Sequence, residues 1–462
     1  MSRFFAIALG FTAIASPVFA QSTPPRATAP VTRIAEETVT SPDKLLSPTS
    51  QLYIRWDGIA AHNEAYKKSI WGGVMAGPTG DSVHALIAKA QKQLGGTLLA
   101  DPLLEGKPPQ ELKANLADLR NATKLIDLIA AKGAIISAEV REPTPTLKGV
   151  GAAIGGLLDG KVPSPAALIP DVQAIVVVPD VAENAETFFA AIRLLLKKAE
   201  YKIEPFAFSG RNGFRFKAPE GPAVPLHAAW WVEGKHFVIY AGTMKPEAVV
   251  AEMTANVAKG GVTGHPLYQR CGKNPGYESI ARGFVDAARV VSFAKSIAGP
   301  FVPGLSQRLD DLGFGNLKAV VFNSGFDGKE SRATYEFDLP GERKGLAKVL
   351  KREPLDLKDL PPLPPDVSRF SALRVDPAAT YDAAVMVLET LMMNESFGSE
   401  EEVKTISEKL RLRRDYVAKL YDKALGVNIK EEVVPYLGDK VVVFQSPSEG
   451  LSVFGTVICV SL

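Results

Sequence analysis

The sequence predicts an α+β protein, built as tandem modules of mainly antiparallel sheet with helices packed on one face. Three observations carry this expectation. Short apolar runs alternate with glycine-containing turns, single helix-like segments follow several of those runs, and one such arrangement occurs on both sides of a proline-rich stretch.

The order begins with an address. Arg3 supplies a positive n-region, Phe4 to Ala15 form an apolar run, and Val18-Phe19-Ala20 ahead of Gln21 match the small-residue rule of a signal-peptidase site. Cleavage is therefore expected between Ala20 and Gln21, with the mature chain periplasmic or extracellular. The run is short for a bilayer, and no later stretch of about 18 apolar residues follows, so no transmembrane segment is expected in the mature chain. Residues 21–43 are rich in Ser, Thr, Pro and Ala and read as a disordered leader.

A first module is expected over 44–354, with internal boundaries near 160–170 and 260. The run "LDLKDLPPLPP" at 355–365 has charge and proline but no helical or strand period, as a semi-rigid linker would. A second module then occupies 366–462. Ser47 to Tyr66 and Pro364 to Ala384 each contain proline, a short alternating strand, an Asp and a helix-like segment, the strongest internal repeat in the chain. The end, "LSVFGTVICVSL", reads as a strand resembling Val172 to Val178 with no helix after it, so the second module is expected to be incomplete or completed by another chain.

Strands are expected at Ala134 to Val140, Leu317 to Phe322 and Lys440 to Gln445, and helices at Ser82 to Leu94, Gln110 to Ala130, Ala185 to Lys198, Pro246 to Ala258 and Glu400 to Ala424. Two hairpins lie between them. In one, Arg211-Asn212-Gly213 as a three-residue loop with left-handed Gly213 places Phe206, Phe208, Phe214 and Phe216 on one face. The other, Ala228 to Tyr240, is expected to turn at Glu233-Gly234.

Strand, Asp, then helix or turn recurs at Asp57, Asp180, Asp286, Asp338 and Asp376. Aspartate accepts hydrogen bonds from free amides at a helix start and suits its positive end, so capping or turn roles are expected. An active site has no need of five copies of its acid.

The five histidines are His62, His84, His227, His236 and His265; none lies in HExxH, and no Cys-x-x-Cys accompanies them, so no metal and no cofactor are expected. In the second hairpin Trp231, His236, His227 and Tyr240 share a face, with His236 opposite Trp231 and His227 opposite Tyr240. The two imidazoles are then roughly 13 Å apart, too far to ligate one ion. If exposed, these four residues form an amphipathic binding patch; otherwise they pack the sheet.

Other features carry less. The two cysteines, Cys271 and Cys459, lie far apart, which leaves a disulfide open, and Cys271 has no nominated base. Gly149, Gly151 and Gly155 miss the dinucleotide spacing and follow no strand. The charged run in Glu400 to Lys423 reads as a solvated helix face. Asn121-Ala122-Thr123 fits a sequon within a helix-like segment. With 53 basic and 51 acidic residues, no electrostatic argument favours nucleic acid.

The segments "GHPLYQRC", "FVDAARVVSFAKSI" and "LDDLGFGNLKAVVFNSGFDGKESRATYEFDLPGERKGLAKVL", between Gly264 and Leu350, resemble secreted planctomycete-type bacterial proteins of an uncharacterised domain family. The flanking "LSPTSQLYIRWD" and "ALGVNIKEEVVPYLGDKVVVF" extend the resemblance. It implies an exported protein of tandem α+β modules and transfers no site residue. The expectation is a non-catalytic binding or structural protein whose partner is an unknown envelope protein or polymer, its oligomeric state unknown. The alternative is an envelope-associated hydrolase using Asp and Glu residues brought together by the fold.

Overall fold

The computed structural model describes residues 41–78, 80–82, 85, 89, 124–125, 127–141, 170–197, 202–217, 226–273, 275–298, 305–349, 353, 355–356, 358, 360–364, 367, 369–391, 406–445 and 456–461. The signal peptide with Ala20 and Gln21, the leader to residue 40, His84, the sequon and the glycine run at 148–160 lie outside the described residues. The chain divides into two compact units, Met1–Asp286 with Val320–Glu336, and Ala287–Ala319 with Phe337–Leu462. The stretch 355–365 falls within the range of the second.

The first unit contains β1 (Leu52–Trp56), β2 (Ala134–Arg141), β3 (Asp171–Val178), β4 (Lys202–Phe208), β5 (Arg211–Lys217), β6 (His227–Glu233), β7 (His236–Gly242) and β8 (Glu278–Val285). With β9 (Ala319–Asp327) and β10 (Glu330–Asp338) they form a ten-stranded sheet in the order β10-β9-β8-β1-β2-β3-β7-β6-β5-β4. The helices delimited among its described residues include α1 (Asn63–Lys68), α2 (Ile70–Met75), α3 (Ala185–Lys197), α4 (Pro246–Lys259) and α5 (Pro266–Cys271). The α+β class is as expected, but helices cover both faces of this sheet instead of one. Strand alternation explains why: both sets of side chains are largely apolar around β3, β6 and β7, so each needs a cover.

On one face, Phe188 and Phe189 of α3 pack on Phe237, their ring centroids 4.5 and 5.3 Å away. Val178, Val181, Phe216 and Trp230 complete that core. On the other face lie Tyr53, Ser137, Glu139, Gln173, Tyr240 and Trp231, connected by register across β1, β2, β3, β7 and β6. Helix α4 lies over this second face, where Arg215 Nη1 donates to Glu247 at 3.0 Å and Arg211 Nη2 to Thr254 at 3.2 Å. Burial in β2 falls on Ile135, Ser137 and Glu139, so the deeper side of that strand is its more polar one.

Both hairpins form with registers other than those expected. β4 and β5 are joined by Ser209-Gly210, with φ of +47° and +76°, a two-residue turn with both positions left-handed. Phe206 then pairs with Gly213 while Phe214 pairs with Pro205, which puts Phe206 and Phe214 on opposite faces. Gly213 itself is not left-handed; an added Cβ would stand 2.2 Å from the Trp230 carbonyl oxygen and 2.8 Å from Trp231 Cβ. Close cross-strand packing requires that glycine. The second hairpin turns at Gly234-Lys235, so His236 faces Glu233 and His227 faces Gly242.

In the second unit α6 (Ala287–Phe293), α7 (Leu305–Asp311), α8 (Leu346–Val349), α9 (Pro377–Leu391) and α10 (Ile406–Leu425) accompany β11 (Arg369–Arg374), β12 (Lys440–Gln445) and β13 (Thr456–Val460). These strands form an antiparallel sheet in the order β11-β12-β13. That is the connectivity of β1-β2-β3, again with helix between the first two strands, and the repeated Asp closes the first strand in each case, as Asp57 and as Asp376. Asp376 caps α9, its Oδ1 accepting from the Ala379 amide at 2.9 Å.

Candidate functional site

The four aromatic and histidine residues do share a face of the β6–β7 hairpin, but two of them are sealed within it: Trp231 and Tyr240 are 0% exposed. His236 is buried beside them. Each polar tip is satisfied internally. Trp231 Nε1 donates to Glu233 Oε2 at 3.1 Å, Tyr240 Oη to the Met244 carbonyl at 2.8 Å, and His236 Nδ1 accepts from the Asp180 amide at 3.3 Å. Glu233 is held bidentately by Arg211, with Nε at 3.0 Å and Nη2 at 2.8 Å. An open patch is therefore corrected to core packing beneath α4, because the hairpin's second face is covered. His227 stays half-buried, and burial pushes its imidazole below the ordinary range.

The remaining sulfur and imidazole groups also have structural settings. Cys271 and Cys459 are free thiols, and burial pushes Cys271 up to about 11, which keeps it a protonated, poor nucleophile at neutral pH. His265 accepts the Leu267 amide at 3.1 Å to open α5, and its ring stacks on Phe284 at 4.6 Å.

The recurrent aspartates do not act alike. Asp376 caps a helix, and Asp180 occupies a turn at φ +52°. Asp286 and Asp338 use backbone groups: the Asp286 amide donates to Gln51 at 2.7 Å and the Asp338 carbonyl accepts from Lys318 at 2.8 Å. Asp57 is an ion-pair residue instead. Arg55, two positions back in β1, reaches both Asp57 and Asp43, and Tyr53 Oη donates to Asp43 Oδ1 at 2.7 Å.

Around Asp57 the strands assemble a chemically suggestive group. His62 places Nδ1 2.7 Å from Glu278 Oε1 and Nε2 3.8 Å from Asp57 Oδ2. Arg282 lies directly across from Arg55, its own buried Nε without a hydrogen-bond partner. Burial disfavours the Arg282 charge, yet Asp57 and Tyr53 more than compensate. An imidazole between two carboxylates can relay a proton, and one of these carboxylates, Glu278, is exposed. Asp57 is nevertheless occupied by Arg55. No group of three or more metal-ligating side chains suited to an ion occurs among the described residues.

A second ionic group lies deeper on the same face. Glu139, 3% exposed, accepts from Arg141 Nη2 at 2.7 Å, from Gln173 Nε2 at 2.8 Å and from Thr49 Oγ1. Arg141 also grips Glu252 of α4, with Nη1 at 3.0 Å. Burial pushes the Glu139 carboxyl up, but the hydrogen bonds from Arg141 and Thr49 outweigh it and hold the group below the usual range. Gln51 bonds both the amide and the carbonyl of Val140 at 2.7 Å, and Ser50 meets Ser137 at 2.7 Å. The only sequence signal for this network was polar residues at alternate positions inside β2, beside a Ser-Pro-Thr-Ser-Gln run before β1.

The sheet's two edges differ. β4 carries Lys202 and Pro205, devices that blunt a free edge. β10 carries neither; eight of its nine residues are exposed, including Tyr335 at 63% and Phe337 at 57%. No family model, curated protein or solved structure matches the chain.

Proposed function

We propose that the protein is an exported, non-catalytic binding or structural component of the periplasm or cell envelope. The observation that carries the reading is the β10 edge, which no other strand pairs among the described residues, because a strand with open backbone groups and exposed aromatics is a ready template for another chain. The ionic groups support it. Asp43 and Asp57 share Arg55, and Glu139 and Glu252 share Arg141, so each carboxylate is engaged by a guanidinium of its own chain; in Glu139 the hydrogen bonds hold the carboxyl below the usual range, the opposite of what a general acid requires. Export rests on the first twenty residues. Saturable retention of the purified chain by isolated envelope fractions is the expected result, along with cell fractionation that finds the chain outside the cytoplasm. No retention above background, or a cytoplasmic location, contradicts the proposal.

A second reading is an envelope-associated hydrolase centred on Asp57, His62 and Glu278. It is favoured by the imidazole seated between two carboxylates. Turnover of an envelope polymer that is lost in Asp57→Asn would select it.

A further inference from the structure

We infer that β10 pairs antiparallel with β10 of a second copy of this chain, about a two-fold axis at Thr334. The inference rests on the reading above that β10 is a binding edge. The loop Gly328-Lys329 joins β9 and β10 in two residues, Gly328 at φ +62°, so Asp327 and Glu330 close the hairpin as a hydrogen-bonded pair. Alternation then turns the backbone groups of Glu330, Arg332, Thr334 and Glu336 toward β9. Those of Ser331, Ala333, Tyr335 and Phe337 face away from the sheet. Stacking of Phe322 on Tyr335 at 6.3 Å, and the Tyr277 hydroxyl lying 3.0 Å from the Asn323 carbonyl and 3.3 Å from Thr334 Oγ1, agree with this register.

Charge complementarity selects a second copy as the occupant. Centred on Thr334, the pairing sets Arg332 of each copy opposite Glu336 of the other, and these side chains are 58% and 59% exposed. Both have partners within their own chain, Arg332 with Asp327 at 3.0 Å and Glu336 with Arg270, and each retains solvent-facing atoms for one more. On the opposite face Tyr335 lies across from Ala333 and Phe337 across from Ser331, large against small, so the exposed aromatics are covered without a clash. Moving the axis to Ala333 sets Glu330 against Glu336. Moving it to Tyr335 recruits Asp338, which is less exposed than the rest of the strand. The Thr334 register places Glu330 against Asp338 at its outermost rungs, a like-charge contact outweighed by the two Arg332–Glu336 pairs inside it.

Sedimentation velocity of the purified chain over a concentration series provides the test. A concentration-dependent dimer is expected, weakened at least about tenfold by Arg332→Glu or Glu336→Arg and recovered in the double charge swap. Ala333→Pro removes an outward amide without touching the β9 ladder and is expected to abolish the dimer. Tyr335→Lys serves where the proline variant fails to fold, with circular dichroism as the check. A monomer at every concentration, a dimer indifferent to Tyr335→Lys, or no recovery in the double swap overturns the inference. Envelope retention by such a monomer leaves the binding reading standing, whereas its absence removes both.

Discussion

Arg141 donates through Nη2 to Glu139 Oε2 at 2.7 Å, two residues back along the same strand, and so holds a buried carboxylate in its charged form. Its folded pKa lies below its unfolded value. The resulting stability is present above about pH 4.3, the ordinary glutamate value, and is lost as pH falls through the depressed folded value. Urea unfolding between neutral and acid pH is expected to show this loss. Glu139→Gln should cost roughly 1–3 kcal/mol at pH 7 and have a shallower acid dependence; an unchanged pH slope would remove Glu139 from the account.

Arg308 and Glu389 form a nearly sealed ion pair in the second unit, at 2.9 Å with 6% and 2% of their side chains exposed. Breaking it from one side leaves a buried charge. Glu389→Ala is expected to destabilise by about 3–5 kcal/mol, while Arg308→Met with Glu389→Leu should recover most of that loss. Calorimetry of the three variants checks it, and a double variant as unstable as the single one contradicts it.

Gly213 is held by packing, not by backbone conformation. Gly213→Ala should cost roughly 1–3 kcal/mol, because its methyl meets the Trp230 carbonyl and the Trp231 side chain. Denaturant midpoints measure this directly. A neutral substitution would mean that β5 and β6 lie farther apart than described.

His227 is expected to titrate below about 6.5 in the folded chain, since burial is the leading influence on it. A lowered folded pKa means that the unfolded chain binds the proton more readily. His227 therefore costs stability as pH drops through the ordinary histidine range, and His227→Gln should relieve that cost. Two-dimensional NMR titration of the imidazole gives the value, and one above the model-peptide range would contradict the placement.

The strands were legible where an apolar run was bounded by charge or glycine: Ala134–Arg141 and Lys440–Gln445 formed where the sequence placed them. Registers were less so. A Ser in the left-handed region at position 209 gave no sequence signal, and without it the turn slid toward Arg211 and carried Phe206 to the wrong face. The β6–β7 turn lay one residue later than expected, a two-residue change in pairing that kept Trp231, His236, His227 and Tyr240 on one side. What covered that side was a long-range matter settled by α4. For Asp57 the sequence held a clue in Arg55, two residues earlier at the end of β1, within reach of an ion pair.

If Asp57, Glu278 and their neighbours hold structure and perform no chemistry, as proposed, the protein leaves envelope polymers intact. Product release from isolated envelope polymers, followed for the wild-type chain beside Asp57→Asn and Glu278→Gln, tests it most directly. None of the three is expected to release product above the buffer blank. Release by the wild-type chain that falls away in Asp57→Asn, with the fold intact by circular dichroism, would contradict it.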